Sequence, residues 1–475
     1  MRVVNGAQMQ NAVAHIADYA SRLKFNDLPD IVVLRARQVV LDTLGTMLGG
    51  YPTRLGKLAA DYAAQMHSGE EATIVGDGRR STVEGAAWAN AVMGKYLGMD
   101  DSHRMAGHVA AELVPVLLAL GEQVGMSGQQ LIVALSVGYD VFIPIQTAVS
   151  SWQRERGLDH KSHVGTMASA VSAAVALGLS EAKIAQSLSL AMDMASGTEQ
   201  YVYDAGKCDT KDLLAGYAAR NGVYAAKLAG FGFEGPPGAL DGPYGYFHAF
   251  GPGYSPTVLQ TIGTKFALTE TGFKPHAGCR HVHSCVDATQ ELLMRSPLNL
   301  DTITSIEIGT YKKAITPEFR VNYQPETVGQ AGFSLPVTVS VVLTRGGWYR
   351  EDIETFETPE ARRLRGLVRV YLDEAIEAEF PRKNGCVVRI ATSDGMKYEG
   401  RVDYAKGEPE NMLSDAEFEA KFRKLVGNQL HPGQVEKLID SISRLEKLCD
   451  VGELVRLTVP AQIMGKAKSP NVQQL

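Results

Sequence analysis

Cysteine is scarce in this chain and widely scattered. The five thiols, Cys208, Cys279, Cys285, Cys386 and Cys449, are too few and too far apart for a disulfide framework. Positive charge is not in excess either. With 47 lysines and arginines against 53 acidic residues the net charge is −6, which leaves no basic footprint for a nucleic-acid partner. A small anion can still be held, because one pocket can be positive on an acidic protein. Apolar runs are short. "LVPVLLAL" falls well below the ~20 residues that span a bilayer, so no membrane partner is expected. The opening "MRVVNGAQMQNAVAHIADYA" has no apolar h-region, so no signal peptide and a cytoplasmic location are expected. No heptad persists and no repeat of 20–50 residues is visible.

What is present is 475 residues, 45% of them hydrophobic, enough for two domains of unequal size. Up to about residue 230, apolar residues recur at three- and four-residue spacing, as in "DIVVLRARQVVLDTLGTML" and "VEGAAWANAVMGKYLG", which predicts helices almost throughout. Alanine, glycine and serine crowd stretches such as "GTMASAVSAAVALGLS", so these helices can pack closely. Residues 231–256 are dense in Gly, Pro and aromatics and read as an ordered loop leaving the bundle. Strand-like runs then follow, "TSIEIGTY" at 304–311 and "GCVVRIATSDGMKYEGRVDY" at 385–404, the latter a hairpin turning at "SDG". The tail returns to amphipathic helix. The expected fold is therefore mainly α: a large all-α domain formed by both chain ends, 1–268 and 406–475, with a smaller α+β lid domain, 269–405, inserted between them.

Four stretches concentrate chemistry. "LGMDDSHRMAGH" places Asp100, Asp101, Ser102, His103 and His108 between two helices, more than capping requires. "RGLDHKSHVG" sets His160 and His163 at a helix N-terminus, where an imidazole stays neutral and available as a base. "KCDTKDLL" puts Lys211 in the first turn of a helix, beside free backbone N–H groups that suit a carboxylate or phosphate. "KPHAGCRHVHSC" holds Cys279, His281, His283 and Cys285 in alternation, which raises the question of zinc. Four ligands in one straight row do not wrap a tetrahedron. In a helix only the pairs 279/283 and 281/285 share a face, so a loop running into a helix is the better reading.

Together, "AAWANAVMGKYLGMDDSH", "GLDHKSHVGTMASAVSAAVALGLS", "DTKDLLAGYAARNGVYAAKLAGFGFEGPPGALDGPYGYF", "FKPHAGCRHVHSCVDA" and "QAGFSLPVTVSVVL" resemble the MmgE/PrpD family in order and register. That family includes 2-methylcitrate dehydratase, cis-aconitate decarboxylase and iminodisuccinate epimerase. The resemblance implies a homodimer of two-domain subunits, a cleft site for a small polycarboxylate, and no metal or cofactor. It places Asp101, Ser102, His108, His160, Lys211, Lys274 and His283 at family site positions. Three positions depart: Gly98 replaces the first Asp of the family's D-x-D-D-T, Cys279 stands where the decarboxylases carry histidine, and Val337 replaces a tyrosine after F-S-L-P.

The chemistry so implied is proton transfer at a carbon beside a carboxylate. His160 or His108 is the expected base, with Asp101 orienting a histidine or lysine. Lys211, Lys274 and Arg280 are expected to bind substrate carboxylates, with Ser102 and His283 assisting. Cys279 joins the catalytic set only if neighbouring cations favour its thiolate. The expected activity is a metal-independent hydro-lyase of the 2-methylcitrate dehydratase type. An epimerase is the close alternative, ahead of a cis-aconitate decarboxylase or a non-catalytic homologue.

Overall fold

The computed structural model describes residues 12–251, 256–295, 297–316 and 320–461; the side chains of His160, Lys161 and Pro256 lie outside the described residues. Among the described residues, helices of eight residues or more are α1 (Ala12–Arg22), α2 (Asp30–Gly50), α3 (Arg54–Met66), α4 (Val83–Tyr96), α5 (Ala110–Val124), α6 (Gly128–Glu155), α7 (His160–Ala176), α8 (Glu181–Met192), α9 (Thr210–Phe231), α10 (His283–Arg295), α11 (Leu335–Arg345), α12 (Asp415–Val426) and α13 (Pro432–Ser443). The strands are β1 (Ala72–Thr73), β2 (Arg80–Ser81), β3 (Asp101–Ser102), β4 (Gly272–Phe273), β5 (Ile303–Thr310), β6 (Val368–Leu372), β7 (Cys386–Thr392) and β8 (Lys397–Val402).

The small residues have the expected effect on helix packing. A Cβ added to Gly222 of α9 would sit 2.4 Å from the Cβ of Ser169 on α7, so the two backbones approach as only glycine permits. One apolar cluster joins the helices up to α9 with α12 and α13; a second gathers Met99, Val282, Val286, Val337, Trp348 and Ile390 beside the larger sheet. That sheet runs β6-β5-β7-β8, with β5 and β6 parallel and the other pairs antiparallel. The hairpin at "SDG" forms as expected, Cys386 facing Val402.

The expected all-α first part of the chain is not what is observed. Helix accounts for 59% of the structure, and the sheets are small, but the first part of the chain is not all helix. β1 and β2 form an antiparallel ladder within it, because the β-branched "TIV" meets glycines that turn the chain at positive φ (Gly76 and Gly78). A second ladder pairs Asp101 with Phe273 and Ser102 with Gly272, crossing the expected boundary at 268/269. The polar, glycine-bearing "GMDDSH" cannot continue α4, so it runs extended and takes its backbone partners from a distant segment.

Residues 232–251 bury Leu240, Tyr246 and Phe247 in the first cluster and include a short helix, Tyr246–Phe250; 252–255 lie outside the described residues. By length and composition α6 is apolar enough to cross a membrane, which counting continuous apolar runs overlooks. Yet 89% of its most apolar window is buried in the protein interior.

Candidate active site

The β3–β4 ladder brings the loop after α4 against the segment that opens "KPHAGC", and a cleft of about 1070 Å³ lies beside it. Eleven lysines and arginines line the cleft against five carboxylates, the reverse of the balance over the whole chain.

At its floor is Asp100, 1% exposed. Lys274 Nζ lies 2.6 Å from its Oδ1 and Lys95 Nζ 2.7 Å from its Oδ2. Lys274 and Lys95 hold the Asp100 carboxyl well below the usual range, against the opposing effect of burial. Burial, with Lys95 and Lys211 nearby, pushes Lys274 down to about 8 in spite of Asp100. Its ammonium is therefore only weakly held, which suits a group that binds an anion and can exchange a proton.

His108 is half-buried in the cleft wall and its Nδ1 donates to the carbonyl of Asp101. That bond leaves Nε2 with a lone pair. Removal from water, reinforced by Lys274, holds the imidazole well below its ordinary value, so it is a neutral base at working pH.

The Asp101 carboxylate does not orient a histidine or lysine as expected; only the residue's backbone carbonyl meets His108. Its Oδ1 accepts from the N–H groups of Val109 (3.2 Å) and Ala110 (3.1 Å) at the start of α5, and its Oδ2 from Tyr139 Oη at 2.8 Å. It is a helix cap, pushed up to about 6 by burial and by Asp100. Neighbouring residues in an extended segment face opposite ways, so Asp100, not Asp101, meets the lysines.

Other expected residues divide into two groups. Lys211, Ser102 and Cys279 line the cleft. Lys211 pairs with Asp212 Oδ1 at 2.9 Å, and Asp209, ahead of it, pairs with Arg54. Arg280 borders the cleft, but its guanidinium is occupied elsewhere. Nε and Nη2 donate to Glu408 Oε1 at 2.9 and 2.7 Å, and Nη1 to Lys406 O at 3.1 Å and to His283 Nδ1 at 3.2 Å. His283 is fully buried, against Arg280 and the ring of His276 5.4 Å away, and does not line the cleft. His160 opens α7, whose N-cap Asp159 accepts from Ser162 N at 2.7 Å; its side chain lies outside the described residues. His163 is buried against Phe250. Val337 is in the second apolar cluster, not at the cleft, so that departure from the family pattern does not alter the cleft wall.

The alternating Cys/His row does not converge. Cys279 faces the cleft, His281 Nδ1 meets Tyr311 Oη at 2.5 Å, His283 meets Arg280, and Cys285 is buried beside Cys386. Asp100, Asp101 and His108 do offer ligand atoms within 4.8 Å of one another. Two ammonium groups already flank Asp100, however, and both oxygens of Asp101 accept from N–H and O–H donors. A metal ion would have to displace these partners.

Gly98 holds φ at +63° with Gly278 N 3.3 Å from where its Cβ would be. A side chain here is strained by ~1–2 kcal/mol. Gly98→Ala is accordingly expected to lower unfolding free energy by about that amount in a denaturant titration. Unchanged stability would show that this loop crossing is not tight.

A buried carboxylate between two ammonium groups, a neutral imidazole and a surplus of cations define an anion-binding site equipped to move a proton. Comparison with known proteins agrees in kind. The MmgE/PrpD N-terminal domain model matches residues 14–259, and the MmgE/PrpD C-terminal domain model residues 276–447. Similar curated proteins include the cis-aconitate decarboxylase of Homo sapiens, 29% identical over 462 residues (92% of each chain). That of Aspergillus terreus is 25% identical over 473 residues, 94% of this chain and 95% of the relative. The cis-aconitate decarboxylase-like protein oryM of Aspergillus oryzae is 25% identical over 489 residues, 96% and 99%. The chain belongs to the MmgE/PrpD family, and the relatives named are lyases, the class expected from the sequence.

Proposed function

We propose that the protein is a lyase of small di- or tricarboxylates that moves a proton at a carbon beside a carboxylate. The observation that carries this reading is the Asp100–Lys274–Lys95 cluster with His108 in a cleft rich in cations. Lys274 and Lys211 neutralise the substrate carboxylate, so that negative charge developing on it in the transition state is stabilised. His108 Nε2 takes the proton, a contribution of ~10²–10⁴-fold for a well-placed base. Within the class we assign a hydro-lyase reaction of the 2-methylcitrate dehydratase type: the C–H proton passes to His108 Nε2, the C–O bond breaks as the C=C bond forms, and the imidazolium returns its proton to the hydroxyl, which leaves as water. Cys279 at the cleft, where the resemblance puts a histidine in the decarboxylases, weighs against loss of CO₂. An epimerase of the iminodisuccinate type is the second reading. It is favoured by the placement of His108 on the segment between α4 and α5 and Cys279 on the loop before α10, two separate sources of acid/base groups.

Incubation with 2-methylcitrate, cis-aconitate and iminodisuccinate in deuterated water, followed by NMR, tests this. Loss of water from the hydroxylated substrate is expected. Deuterium entry with inversion alone would replace hydro-lyase by epimerase, CO₂ release would restore the decarboxylase, and no exchange or turnover would overturn the class. Because Lys274 binds the anion only when charged, kcat/KM is expected to fall as pH rises through about 8. Lys274→Arg, whose charge persists, should remove that alkaline limb.

A further inference from the structure

Six of the eleven cations of the cleft fall into two groups. Lys95 and Lys274 gather on Asp100, and Lys211 on Asp212. The second group comprises Arg154, near the end of α6, with Lys313 and Arg320 from the segment after β5. Nothing in the proton-transfer scheme uses it.

Lys313 lies in the turn Lys312–Ile315. Arg320 shapes that turn, since its Nη1 donates to the carbonyl of Lys313 and to Thr316 Oγ1 at 3.1 Å. Among the described residues the Lys313 ammonium makes no ion pair; it lies over the Phe380 ring, 5.8 Å from the centroid. Burial and the charges of Arg154 and Arg320 press it down to about 8, with Glu199 the carboxylate that opposes them. His281, beside the same cations, is kept neutral by burial and by Arg320 and Lys313, so it adds no competing charge. A half-buried lysine, crowded by two arginines and without an ion pair among the described residues, is a standing cost that a bound anion relieves.

We propose that Lys313, with Arg154 and Arg320, forms a second carboxylate subsite that holds the end of the substrate remote from Lys274. The proposal rests on the polycarboxylate reading and extends it. The preferred substrate carries carboxylates at both ends, and Lys313 supplies the discrimination against a monocarboxylate.

Calorimetric binding of glutarate and of valerate, five-carbon acids with two carboxylates and one, tests the subsite on the full chain. Wild type is expected to prefer glutarate by about tenfold or more, the worth of one charge-assisted hydrogen bond. Lys313→Gln and Lys313→Met, two neutral replacements, should bring that ratio close to unity while valerate binds as in wild type. Lys313→Arg should keep most of the preference. A ratio unchanged in the folded neutral variants overturns the subsite and leaves the polycarboxylate reading standing. A wild type that binds neither acid overturns both.

Discussion

Lys274→Met is expected to lower kcat/KM by ~10²–10³, the usual loss when one electrostatic stabiliser of a developing anion is removed, with little loss of folding stability. The two effects separate because Lys95 remains 2.7 Å from Asp100. Lys274 is the cation whose charge burial disfavours, only 2% exposed and pushed down to about 8. Unfolded, a lysine titrates near ~10.4, so between about pH 8 and that value the unfolded chain binds more protons than the folded one. Stability of the wild type should therefore rise with pH across this window, by a Lys274 contribution on the order of 3 kcal/mol. The methionine variant should lose that contribution. Activity within tenfold of wild type would remove Lys274 from the machinery. Unchanged pH dependence of unfolding would show that its charge is not held in the way the geometry requires.

Arg280→Ala should do the opposite, weakening the fold before it touches substrate affinity. Removing the guanidinium strips two donors from Glu408, itself 2% exposed, and one from the carbonyl of Lys406. Breaking a buried pair in this way costs ~3–5 kcal/mol. Arg104, whose Nη2 reaches Glu408 Oε2 at 3.1 Å, covers only one oxygen. Arg280→Lys is not expected to rescue, because one ammonium cannot span a carboxylate, a carbonyl and His283 Nδ1 together. Thermal unfolding and KM distinguish the roles. A variant with wild-type stability and a raised KM would return Arg280 to substrate binding.

These two residues also show what local sequence can carry. Lys274 opens a motif and lines the cleft, as do Lys211, Ser102, His108 and Cys279. The hairpin at 386–402 was legible because a turn signal and alternation coincide within one short stretch. Arg280 sits in the same motif as Lys274, but its partner Glu408 is 128 residues away, and no local pattern announces it. The sequence alone does not choose between Asp100 and Asp101, because the choice depends on which face of the extended segment meets the cleft, and that is fixed by the pairing of β3 with Gly272–Phe273. Lys313 and Arg154 lie in no motif. Only the fold puts them on the same wall.

The support behind Asp100 comes from the far end of the chain. Lys421 on α12 donates to the carbonyl of Met99 at 2.6 Å and pairs with Asp42 on α2 at 2.5 Å, all three buried. The floor of the cleft is thus clamped by a helix made after nearly all the rest of the protein. During synthesis the earlier helices can collapse onto one another as they emerge, but the loop bearing Asp100 stays without this clamp until α12 docks. Competence for catalysis is in that sense a late event in the life of each molecule, coupled to completion of the core and not to the motifs that carry the chemistry.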